Sequence, residues 1–271
     1  MFLSPFSRIM GTRPAFDMES LRRSIAAQER LSPASRPTAR LAESRLDAAL
    51  PVGGLSTDAL HEIEPAAAGD FAASAGFGFG LLAQIARVRP GFALWAVPGY
   101  QSFREGRLYP LGLAAFGFDP GRLIRVEARK GIDILWALEE GLAHSALSAV
   151  IGVLPEGDRA YDFTASRRLA MRAARLGVTA LVLRSQAHAG AATAAETRWS
   201  VRALPSASSG RAKPRPGPPR WRIELVKSRK GTPGAWDVEW DHETLSFRLS
   251  PRLGDRAQTW THGAGEWAEA S

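Results

Sequence analysis

The sequence predicts an α/β fold: a mainly parallel sheet flanked by helices, with an antiparallel C-terminal meander and a detached N-terminal helix. Three observations predict it. Residues 92–97 (FALWAV), 149–154 (AVIGVL) and 178–183 (VTALVL) are continuous apolar runs, as expected of strands covered on both faces. Stretches of helical periodicity separate them, so the chain reads as successive βαβ units. Past Arg184 the period changes to two, and residues 221–227 (WRIELVK), 236–240 (WDVEW) and 245–249 (LSFRL) alternate as half-buried antiparallel strands do.

Residues 16–31 (FDMESLRRSIAAQERL) place Met18, Leu21 and Ile25 on one face of an amphipathic helix. Pro33 ends it, and the Pro/Ser-rich residues 32–40 read as a linker. The stretch 46–86 then runs from a Pro51-Val52-Gly53-Gly54 turn to a strand over 60–64, a glycine-rich loop with Gly76, Gly78 and Gly80, and a helix. Phe77, Leu81, Ile85 and Val88 form the apolar face of that helix. Helices are expected over 107–117, over 131–144 with Leu135, Leu138 and Leu142 inward, and over 164–176 with Asp162 or Thr164 as cap. A strand is expected over 123–126 and another over 197–203, the latter after a small-residue loop at 185–196. Residues 204–219 are Pro/Ser/Gly-rich and basic, the composition of a disordered insertion. The domain reading is therefore an N-terminal helix and linker over 1–40, an α/β domain over 41–250 and a disordered tail over 251–271.

Composition narrows the chemistry. The 271 residues include no cysteine, which excludes disulfides, thiolate zinc sites and thiol catalysis. The opening MFLSPFSRIM is too short, and too broken by Pro5 and Arg8, for a signal peptide or spanning helix, so a cytoplasmic protein without membrane contact is expected. Net charge is +8, and residues 201–230 alone hold nine basic residues against Glu224. Such a concentration attracts polyanions or acidic partners in a salt-dependent way. The five histidines have no metal-ligand spacing, and Glu139-Glu140 point in different directions on a helix. No cofactor or metal is expected.

The 46–86 stretch has the order of a phosphate-binding loop without its chemistry. No Lys or Arg occurs in it, while Asp47, Asp58, Glu62, Glu64 and Asp70 do. Its G-x-G-x-G spacing matches neither the P-loop nor the dinucleotide fingerprint.

The order of these segments resembles the ImuA family, itself similar to RecA and to the division inhibitor SulA, over roughly residues 15 to 250. The resemblance is carried by Leu46-Asp47 with Leu50, by Gly53-Gly54-Leu55 and by His61-Glu62-Ile63. Residues 174–184, 190–202 and 221–240 continue it, as the helix and strand before a DNA-binding loop, that loop's exit and a closing hairpin. In RecA-like terms the water-activating acid falls at about Pro98, the magnesium-linked aspartate at about Leu154 and the nucleotide-sensing glutamine near Ser185 or Gln186. A RecA-like fold with a degenerate P-loop at Gly76, Gly78 and Gly80, and no ATPase activity, is what the resemblance implies.

It further implies an accessory protein of DNA-damage-inducible translesion mutagenesis, acting with the polymerase-like protein ImuB, with RecA as a further partner. Leu21 and Ile25 of the first helix and Trp260 and Trp267 of the tail are the candidate partner anchors. Arg168, Arg172 and Arg175, at helical spacing, together with Arg184, Arg198, Arg202, Arg211, Lys213 and Arg215, are the candidate contacts for an acidic partner or for weak single-stranded DNA binding. A SulA-like division inhibitor and a DNA-binding RecA relative are the alternatives. The alanine-rich residues 185–196 argue against strong DNA contact.

Overall fold

The computed structural model describes residues 37–100, 106–155, 157–186, 192–206 and 217–250. The chain divides into two units, Met1–Arg36 and Pro37–Ser271, and every described residue belongs to the second. The candidate residues Leu21, Ile25, Arg211, Lys213, Arg215, Trp260 and Trp267 lie outside the described residues.

Elements follow the order β1 (Thr38–Ala39), α1 (Ser44–Ala49), β2 (Leu55–Ser56), β3 (Leu60–Pro65), α2 (Phe71–Val88), β4 (Phe92–Pro98) and α3 (Pro110–Ala115). They continue with β5 (Leu123–Ala128), α4 (Gly131–Gly141), β6 (Leu147–Leu154), α5 (Phe163–Leu176), β7 (Thr179–Arg184) and β8 (Thr197–Leu204). The antiparallel strands β9 (Arg220–Ser228), β10 (Gly234–Asp241) and β11 (Ser246–Leu249) close the chain. The large sheet has the order β11-β10-β9-β8-β3-β7-β6-β4-β5. Strands β8 to β5 in that order are parallel, and β9, β10 and β11 extend the sheet antiparallel. The expected fold class is therefore present: mixed α/β, a large mostly parallel sheet flanked by helices, and an antiparallel C-terminal set.

Alternation across β3 and β7 sorts the core into two layers. Ile63, Leu181 and Leu183 face α2, while Leu60, Ala180 and Val182 face α4 and α5. The meander adds Trp199, Trp221, Trp240 and Phe247 to the α2 layer, with Trp240 edge-on to Phe247 at 5.0 Å. Asp162 caps α5 by accepting from Ala165 N at 2.7 Å, and Gly177 ends that helix with φ +69°.

Three local expectations are corrected. Gly76, Gly78 and Gly80 are not a loop but lie within α2, which is longer than periodicity suggested and is buried on opposite sides. A side chain at Gly78 would meet Ile63 and Leu183 of the sheet at 3.3–3.5 Å, and one at Gly80 would meet Phe247 at 2.5 Å. The glycines let the helix pack closely within the α2 layer, against both the central strands and the meander. Val88, placed on the apolar face, is 48% exposed at the helix end. Thr38 and Ala39, in the stretch read as linker, pair with Ser56 and Leu55. Helix α2 is long and apolar enough to cross a membrane by length and composition, yet Phe77, Leu81, Leu82 and Ile85 are fully buried in the core.

The Leu46-Asp47-x-x-Leu50 segment also has a physical role. Leu46 and Leu50 are buried, and Asp47 accepts the Leu41 N–H at 2.8 Å, tying the end of the β1 segment onto α1. Burial raises the Asp47 carboxyl above its ordinary value.

Candidate functional site

In a parallel sheet ligands gather beyond the C-terminal strand ends, where a helix N-terminus supplies unpaired N–H groups. Here that corner is the connection between β3 and α2, residues 66–70 (AAAGD), upstream of the glycines. It is shut by its own hydrogen bonds. Ala66 N donates to Val201 O at 2.8 Å and Asp70 N to Ala67 O at 2.9 Å. The Asp70 carboxylate accepts from Ala203 N at 2.9 Å, fastening the loop to β8. A buried carboxylate thus stands at the helix end where an anion would need attraction, and the segment supplies no lysine or arginine. The neighbouring strand ends offer little more: Pro98 closes β4, and Leu154, 2% exposed, closes β6.

Behind this corner, on the α5 side of β3, sits a charged cluster. Glu62 is fully buried and both of its oxygens are taken: Tyr161 Oη donates to Oε1 at 2.5 Å and Arg198 Nε to Oε2 at 2.6 Å. Arg198 Nη2 also donates to Thr193 Oγ1 at 3.2 Å, and Lys227 Nζ to the Thr193 carbonyl at 2.6 Å. The Arg184 guanidinium lies 5.4 Å from the Tyr161 ring centroid. Burial first, then the Glu62 charge and hydrogen bond, raise the Tyr161 hydroxyl well above its ordinary value, so it stays protonated and donates. Burial lowers the Lys227 ammonium. These groups join β3, β7, β8, β9 and the start of α5. Glu62 and Arg198 are spent on each other, and the cluster ties these elements together as a lock.

The arginine candidates separate accordingly. Arg168 and Arg172 lie on the exposed face of α5 as the spacing predicted, and both pair with Glu139 of α4, at 3.0 and 3.3 Å. Arg175 and Arg202 are exposed. Arg184 and Arg198 are 9% and 7% exposed, so they are not continuous with the α5 stripe. Strand periodicity gave the side of the sheet but not the acid waiting there. The signal missed was Glu62 itself, a carboxylate in a central strand, which demands a buried cation.

His61 is likewise structural. Its Nε2 lies 2.8 Å from the Ser56 carbonyl, which can only accept, and its Nδ1 is 2.8 Å from Thr197 Oγ1. Among the described residues no group of three or more His, Asp and Glu could hold a metal ion.

Fold and corner together define an α/β protein with a mostly parallel sheet whose β3–α2 corner is closed by an acid. Comparison with known proteins then fixes the family. The chain is 31% identical over 238 residues to Protein ImuA of Caulobacter vibrioides strain NA1000 / CB15N, covering 81% of this chain and 91% of that one. Protein ImuA of strain ATCC 19089 / CIP 103742 / CB 15 matches equally. The chain belongs to the ImuA family. No family model matches it.

Proposed function

We propose that this chain is a non-enzymatic accessory protein of DNA-damage-inducible translesion mutagenesis, with a RecA-like core whose ATP position has degenerated, and that it works by binding an ImuB-like polymerase-like protein, with RecA as a further partner. Membership of the ImuA family supports the mutagenesis role. The observation that carries the loss of catalysis is the β3–α2 corner, where Asp70 occupies the helix end and residues 66–70 supply no lysine or arginine. A triphosphate there would meet a carboxylate instead of the lysine and metal-linked acid that position and neutralise it.

Leu21, Ile25, Trp260 and Trp267 serve as partner anchors in this reading, and Arg175 and Arg202 as exposed contacts for acidic groups. The burial of Arg184 and Arg198 subtracts two cations from any DNA surface, which weighs against the DNA-binding alternative. Purified full chain is expected to release no phosphate from ATP above background, with or without single-stranded DNA. It is also expected to retain an ImuB-like partner in pull-down, and to lose it when residues 16–31 and 254–271 are both deleted. Unchanged capture by the doubly deleted chain would overturn the anchor assignment, and DNA-stimulated phosphate release the non-enzymatic one.

A further inference from the structure

Helices α4 and α5 lie side by side on one face of the sheet, where Leu135, Leu138, Ala165 and Leu169 share a core. Their outward sides carry opposite charge. Gly131–Gly141 holds Asp133, Glu139 and Glu140 and no lysine or arginine, whereas Phe163–Leu176 holds Arg167, Arg168, Arg172 and Arg175 and no acid. Glu139 is spent across the seam on Arg168 and Arg172, at 3.0 and 3.3 Å. Asp133, Glu140, Arg167 and Arg175 are exposed and form no ion pair among the described residues. Apolar side chains share this outward side. Trp136 is 66% exposed, while Ile132, one turn before it, and Met171 of α5 are each more than half exposed. The other described tryptophans are buried or half-buried. An exposed tryptophan and methionine set among arginines is the composition of an interface core.

We propose that the α4–α5 face binds a second copy of this chain, related by a two-fold axis along the seam, so that the acidic α4 of each copy lies over the basic α5 of the other. Both helices are crossovers of βαβ units and run the same way, and this axis preserves their direction. Register follows from the seam. Because Glu139 reaches Arg168 and Arg172 alike, residue 139 is level with 170. The axis then sets Glu140 of one copy level with Met171 of the other, with Arg167 and Arg175 one turn to either side. Trp136 falls level with Arg167 of the other copy, whose guanidinium its ring face can accept. Each contact occurs twice, and Trp136 and Met171 leave water in both halves. Single-stranded DNA fits this face less well, since Glu139 and Glu140 follow Trp136 within about one turn and repel phosphates. The occupant must carry a basic row beside an acidic one, as this chain's own face does. Two helices of 11 and 14 residues cover about 400 Å² per copy, the range of transient dimers, so association in the tens of micromolar is expected.

Analytical ultracentrifugation of the full chain at rising concentration tests this. A monomer–dimer equilibrium is expected, weakened by added salt and weakened at least about tenfold by Trp136→Ala, the scale of an aromatic hot spot. Glu140→Lys sets a third cation between Arg167 and Arg175, and Arg167→Glu with Arg175→Glu sets two further acids beside Glu140. Each of these two chains alone is expected to stay monomeric where the native chain dimerises. Mixed in equal amounts they are expected to dimerise again, because one half of the mixed pair has both rows reversed and the other half has neither. The substituted residues are exposed, so circular dichroism of every variant is expected to match that of the native chain. A native chain still monomeric at several hundred micromolar, a dimer indifferent to these substitutions, or a mixture that stays monomeric would overturn the proposal. No second protein takes part, so failure here leaves the pull-down test of the adaptor function untouched.

Discussion

The two faces of β3 solve burial in opposite ways. Toward α2, Ile63 meets Gly78, and the layer is filled by volume alone, with Phe77 packed 5.4 Å from both Trp199 and Phe247. Toward α5, one strand position away, Glu62 is fully buried and held by Tyr161 and Arg198. The first face tolerates no added atom and the second no lost charge.

The sharpest break in this comparison is Glu62→Ala. Removing the acid strands Arg198, whose side chain is 8% exposed, and an uncompensated buried charge costs about 3–5 kcal/mol. Urea denaturation of the purified variant should show that loss, and a change below about 1 kcal/mol would mean that Arg198 finds water instead. Next is Tyr161→Phe, which leaves one Glu62 oxygen unpaired and is expected to cost about 1.5–3 kcal/mol at neutral pH. It also carries a pH signature. Because the folded hydroxyl is raised above the unfolded value of about 10, its stabilisation is present below that pH and is lost as pH rises toward the folded value. The native chain should therefore lose stability above pH about 10, and Tyr161→Phe should remove that share of the alkaline slope.

On the other face, Gly80→Ala places a Cβ 2.5 Å from Phe247 Cζ, and the packed ring has little room to yield. Overpacking of about 1–3 kcal/mol offsets the roughly 1 kcal/mol gained in helix propensity, for a net loss of up to about 2 kcal/mol by thermal or urea unfolding. Gly69→Ala meets nothing within 4 Å and should stay within about 0.5 kcal/mol, the internal control for that claim. A comparably small effect is expected from Arg168→Ala. Its pair with Glu139 is half exposed, Arg172 shares the same carboxylate, and the loss should be under about 1 kcal/mol.

What could be read from the sequence follows the same division. Continuous apolar runs revealed β4, β6 and β7, and strict alternation revealed the meander, because periodicity reports which face is apolar. Pairing between distant charges leaves no periodic trace. Arg184 and Arg198 look like surface cations until Tyr161 and Glu62 are placed beside them, 23 and 136 positions away in the chain. Gly76, Gly78 and Gly80 misled for a related reason. Glycine usually marks a turn, and only the approach of Ile63, Trp221 and Phe247 to α2 explains three of them within a helix. The absence of lysine and arginine from residues 46–86 was legible, while the β3–α2 corner as the relevant place and the bond from Ala203 N to Asp70 that closes it were not.

Isothermal titration of the full chain with ATP and magnesium tests the closed corner most directly. The account predicts no saturable heat, and no difference between the native chain and an Asp70→Ala variant. Saturable binding in the micromolar range that is altered by Asp70→Ala would show that the corner still grips a triphosphate, and would contradict it.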